Sequence, residues 1–120
     1  MEIDIRILDG IAVLEPKGRL TLETQPEFTK AVRRLFDAGH IRLVLDLAAV
    51  PYIDSCGLGA IAHAYVSARR RGGDLKLLHV RDRNLRILTI TKLLTVFDVY
   101  ESDHEVIRGF DADSSGLLAS

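Results

Sequence analysis

A chain of 120 residues has the length of one domain, and its composition, 48% hydrophobic and 28% charged, supplies a single core and excludes general disorder. A formal net charge of −1 gives no bulk attraction to nucleic acid or to an anionic membrane, so neither is expected as a partner. The single cysteine, Cys56, excludes an internal disulfide framework and fits a cytoplasmic, reducing compartment, and no apolar run approaches the roughly 20 residues that cross a bilayer.

Met1-Glu2-Ile3-Asp4 is acidic and alternating, unlike a signal peptide, and Ile3, Ile5 and Ile7 alternating with Asp4 and Arg6 predict a strand. Asp9-Gly10 separates it from Ile11-Ala12-Val13-Leu14, which predicts a hairpin with a type I′ turn, and Gly18 ends the second strand. Thr24-Gln25-Pro26-Glu27 reads as a capping box: Thr24 as cap, Glu27 reaching back, Pro26 early in the helix. Phe28, Val32, Leu35 and Phe36 fall on one face of that helix, and Gly39 stops it.

Ile41 to Leu47 is apolar enough for a central strand. Leu58, Ile61, Ala62, Tyr65 and Ala68 mark a second helix, closed by Arg69, Arg70 and Arg71 as a solvated basic end and broken by Gly72-Gly73. Leu75 to Val80 is the next strand. Asp82 is expected to cap a third helix carrying Leu85, Leu88 and Leu93, Val96 to Tyr100 forms a short strand, and Ser102-Asp103-His104-Glu105 is a second capping box, opening a helix with Val106, Ile107 and Phe110. The order β-β-α-β-α-β-α-β-α predicts an α/β domain over residues 1–110, with a mixed sheet made of an N-terminal antiparallel hairpin and parallel strands, and four helices. Residues 111–120 are small and polar and read as a frayed tail.

The motif Tyr52-Ile53-Asp54-Ser55-Cys56-Gly57-Leu58-Gly59 lies between a predicted strand and a predicted helix. A helix start carries unpaired N–H groups and favours an anion, which makes Ser55 a candidate phosphate carrier; local chemistry alone favours a plain helix cap at Asp54-Ser55. Gly57 to Ala62 matches G-x-G-x-x-A, but the next strand ends Leu78-His79-Val80 without the acid that dinucleotide binding requires. A nucleophile elbow fails because Ile53 stands where its first glycine belongs. No histidine accompanies Cys56 as a base, so it reads as a small buried apolar residue. His40, His63, His79 and His104 are scattered, and neither a metal nor a cofactor is expected.

Val44-Leu45-Asp46-Leu47 followed by Tyr52 to Gly59, with Gly18-Arg19-Leu20 and Gly72-Gly73 in the frame, resembles the STAS domain family, in particular bacterial anti-sigma factor antagonists. The resemblance implies a STAS-like fold and no enzymatic activity. It further implies that Ser55 is phosphorylated by an anti-sigma factor with serine kinase activity, that the unphosphorylated form binds this factor to release a sigma factor, and that a serine phosphatase resets the switch. Two departures stand out: Thr21 where many relatives carry an acidic residue, and Cys56 where they carry Ser, Thr or Ala. The expected partner footprint comprises Arg19, Thr21 and Thr24, then Asp54, Ser55, Cys56, Gly57 and Leu58, then His63 and Ser67, on a monomer or weak dimer. The alternative within the family is a constitutive subunit of a stressosome-type scaffold or of an ABC lipid transporter.

Overall fold

The computed structural model describes residues 1–91 and 97–119, with side chains through 111. Strands β1 (Glu2–Leu8) and β2 (Ile11–Lys17) form the predicted hairpin, and both turn residues have positive φ, 52° at Asp9 and 77° at Gly10, as a type I′ turn demands. Helix α1 (Gln25–Asp37), strand β3 (Arg42–Asp46), helix α2 (Ser55–Arg70), strand β4 (Asp74–Leu78), helix α3 (Asp82–Ile90), strand β5 (Val99–Tyr100) and helix α4 (Asp103–Ala119) follow. Strand order along the sheet is β1-β2-β3-β4-β5, antiparallel between β1 and β2 and parallel elsewhere. This is the expected mixed α/β architecture.

Alternating strand residues divide the interior into two cores. Leu14, Leu43, Leu45, Leu75 and Leu77 meet Phe28 and Val32 of α1, Leu58 and Ile61 of α2, and Leu88 of α3. On the opposite face Ile11, Val13, Val44 and Leu78 meet Val106 and Phe110 of α4. Leu43, Val44 and Leu45 are all buried, so β3 is covered on both faces and its sequence reads as a continuous apolar run. Lys76 is fully buried on the α4 face, with its ammonium 2.8 Å from Asp98 and 5.0 Å from the Phe110 ring centre. Arg6 of β1 tethers the start of α4 through a two-pronged contact with Asp103, at 3.0 and 3.1 Å. Among the described residues, no helix is long and apolar enough to cross a membrane.

Several local expectations are corrected. The Thr24 hydroxyl does not cap α1. It donates to the Arg19 carbonyl at 2.7 Å and accepts from the Thr21 amide, while Glu27 pairs with the Met1 amine instead of reaching back. The cap of α3 is Arg81, one residue before Asp82, and β5 spans only Val99 and Tyr100. Leu93 and Val96 lie outside the described residues. Half of the second capping box forms: the Glu105 amide donates to Ser102 Oγ at 3.2 Å, but the Glu105 carboxylate accepts the Glu101 amide, at 3.3 Å, in place of that of Ser102. Helical backbone continues to Ala119 across the segment read as a tail, which contains no proline to stop it.

Candidate functional site

The site is built where β3 hands over to α2. Asp54 has extended backbone and caps α2: one carboxylate oxygen accepts the Gly57 amide at 2.8 Å and the other accepts the Leu22 amide at 3.0 Å. These donors, Gly57 foremost, then Leu22 and Cys56, hold the Asp54 carboxyl below its ordinary range. The carboxylate therefore does two jobs. It satisfies the helix start, and it ties the loop between β2 and α1 to that start.

Backbone contacts complete the tie. The Asp54 amide donates to the Leu20 carbonyl at 3.1 Å, and the Leu20 amide donates to the Tyr52 carbonyl at 3.0 Å, forming a parallel bridge between Leu20 and Ile53. Thr24 closes the loop from within through its contacts to Arg19 and Thr21. Gly57 lies against this bridge, where an added Cβ would sit 2.2 Å from the Leu20 carbonyl oxygen, so only glycine lets the loop approach so closely. Gly59 meets nothing of the kind, which removes a packing role for it.

Ser55 is the first residue of α2 and is exposed, and its hydroxyl has no hydrogen-bond partner among the described residues. Cys56 is also exposed, contrary to the expected buried role. The reason is rotational: at about 100° per residue, Cys56 points about 140° away from buried Ile61. Ser55, Cys56, Gly59 and His63 accordingly share the outer face of α2, and all are exposed. Ser67 is half-buried and, with His63, borders the groove between α1 and α2, beside Phe36 and Arg71. It lies about 18 Å along the helix from Ser55. Gly57 and Leu58 are buried and serve the packing beneath the site, so neither offers a side chain to a partner.

In the facing loop Arg19 is exposed, with its guanidinium 5.9 Å from the Tyr52 ring centre, while Thr21 and Thr24 are half-buried. Arg83 of α3 approaches the same ring at 5.0 Å, so two cations flank Tyr52. Two apolar residues escaped the sequence reading: Leu22, 64% exposed on the tied loop, and Val66, 44% exposed on the outer face of α2. Strand alternation would set Leu22 on the face of buried Leu20, so the sequence carried no signal for its exposure; the bend and turn over residues 21–24 direct it outward. Among the described residues no three of His, Cys, Asp and Glu converge as metal ligands would.

The sequence profile of the STAS domain matches residues 2–106. The anti-sigma-B factor antagonist of Listeria monocytogenes is 31% identical over 106 residues, covering 88% of this chain and 92% of that protein. The crystal structure of TM1081, a candidate anti-sigma factor antagonist from Thermotoga maritima, superposes with a TM-score of 0.86 at 26% identity, covering 91% of this chain and 94% of that one. The phosphorylated form of SpoIIAA, a Bacillus cell fate determinant, shares the fold at a TM-score of 0.70 and 13% identity, covering 89% of this chain and 97% of that one.

Proposed function

The chain belongs to the STAS domain family, and on that premise we propose that it is a cytoplasmic anti-sigma factor antagonist, switched off by phosphorylation of Ser55. The observation that carries this reading is the exposed Ser55 hydroxyl, unpartnered among the described residues, on the first turn of α2, immediately after the Asp54 clamp. A kinase active site reaches an exposed hydroxyl without unfolding the domain. The domain acts as substrate and binding module and performs no chemistry of its own.

The physics of the switch favours a block at the interface over a change of fold. A phosphate adds about −1.5 to −2 charges. On the first turn of a helix it gains about 0.3–2 kcal/mol from the helix dipole, partly offset by the neighbouring Asp54 carboxylate. The free domain thus has no reason to rearrange. A hundredfold loss of affinity needs about 2.7 kcal/mol. Sealing an unpaired dianion inside an interface exceeds that readily. Ser55 therefore belongs inside the anti-sigma factor footprint, together with the 19–24 loop and the outer face of α2, and the bound anti-sigma factor is the serine kinase.

Capture of the anti-sigma factor by immobilised protein tests this. Wild type and Ser55→Ala bind, whereas Ser55→Asp folds normally and fails to bind; normal binding by Ser55→Asp overturns the proposal. Mass spectrometry of the protein from cells then reads the modification directly. Ser55 that stays unmodified whether or not the kinase is present would instead fit a constitutive subunit of a larger assembly.

A further inference from the structure

We propose that the free edge of β1 is a self-association surface, at which two copies of this chain pair β1 with β1 antiparallel about a two-fold axis through Ile5. Among the described residues β1 is the terminal strand of the sheet, paired on one side only. Its outer edge presents a row of unpaired backbone donors and acceptors over the seven residues Glu2–Leu8. Ile5 and Ile7 are 46% and 48% exposed there, whereas Ile3 on the same face packs against the core. β-Branched residues left half in water on a sheet edge gain from a cross-strand neighbour.

The strand is complementary to itself in one register. With Ile5 opposite Ile5 of the second copy, Ile3 meets Ile7 on the apolar face, and Asp4 meets Arg6 on the other, twice by symmetry. Sliding by two residues one way sets Asp4 against Asp4, and the other way Arg6 against Arg6. Sliding by one sets isoleucines against charges and turns the two copies' apolar rows to opposite faces. The charges that discourage indiscriminate edge pairing thereby select this single homotypic arrangement. Asp4 contacts Lys17 and Arg6 contacts Asp103, yet their side chains remain 58% and 44% exposed, and a guanidinium has donors for two partners. The result is a continuous ten-stranded sheet across two copies. The surface includes neither Ser55 nor the 19–24 loop, so self-association and antagonism are separable.

Sedimentation velocity over a concentration series reads the proposal, with circular dichroism confirming that each variant folds. Wild type converts from monomer to dimer as concentration rises. Asp4→Arg and Arg6→Asp each weaken this about tenfold or more by making two like-charge pairs, and the double exchange Asp4→Arg/Arg6→Asp restores it to within about threefold. Paired residues lie about 4.5–5.5 Å apart between Cα atoms, within disulfide range. In a Cys56→Ser background, Ile5→Cys therefore cross-links to itself under mild oxidation, whereas Ile7→Cys requires Ile3→Cys on the second copy. A mass that stays monomeric up to about 1 mM overturns the proposal, since that leaves self-affinity negligible. So does a dimer indifferent to both charge reversals in which Ile5→Cys does not cross-link.

Discussion

Asp54 and Leu22 are 32 residues apart in sequence, yet the Asp54 carboxylate accepts the Leu22 amide at 3.0 Å with the oxygen it does not spend on Gly57. A helix cap thus doubles as a clasp on the facing loop. The clasp orders two halves of one surface, so a partner that touches both meets a preorganised face and loses less entropy on docking.

Asp54→Asn separates the two functions of the clasp. An asparagine oxygen still accepts the Gly57 amide, but its NH2 group offers nothing to the Leu22 amide. Hydrogen exchange is expected to show retained protection at Gly57 and lost protection at Leu22, with a small drop in Tm. Equal loss at both sites would mean that the cap cannot be parted from the loop contact.

The two motif glycines should respond in opposite directions to alanine. Gly57→Ala drives a methyl into the Leu20 carbonyl and is expected to destabilise the domain by more than about 1 kcal/mol, since backbone must move. Gly59→Ala meets open space within a helix and is expected to stabilise it by about 0.4–1 kcal/mol through the unfolded chain. Urea denaturation midpoints of the two variants check the sign of each.

Acid should loosen the domain through Asp54 and Asp103. The Gly57, Leu22 and Cys56 amides hold Asp54 below its ordinary value, and the hydrogen bond from Arg6 does the same for Asp103. A carboxyl whose folded value is depressed contributes stability above its unfolded value, near pH 4, and loses it as pH falls through the folded value. Stability against urea is therefore expected to decline below about pH 4, less steeply in Asp103→Asn, which removes one of the two groups. A decline of unchanged steepness would discount the Arg6 contact.

Leu22 is expected to anchor the partner. An exposed leucine on a clasped loop beside Ser55 costs nothing in free stability to replace, but offers apolar area to an interface. Leu22→Ser should leave Tm within about 2 °C of wild type, as surface changes do. It should weaken anti-sigma factor binding about 5- to 30-fold, measured by calorimetry. Unchanged affinity would place Leu22 outside the footprint.

Much of this was legible in the residues themselves. The Asp9-Gly10 turn, the Ser102 cap and the Asp54 cap each form as read, because each depends on φ preferences or side-chain reach within three or four residues. The outer position of Cys56 was also within reach, since the helical period alone turns it away from Ile61, but a general preference for buried cysteine obscured it.

Local chemistry in the chain by itself determined the alternation of strands and helices, the mixed sheet and the position of Ser55 at a helix start. Tertiary structure alone decided how the surface around Ser55 is assembled. The Thr24 hydroxyl turned to Arg19 instead of its own helix, Asp54 reached across to Leu22, and Gly57 became indispensable only because Leu20 lies against it. A polar atom bonds to whichever partner the fold brings within about 3 Å, and in a loop held by a distant strand that partner cannot be identified from its sequence neighbours.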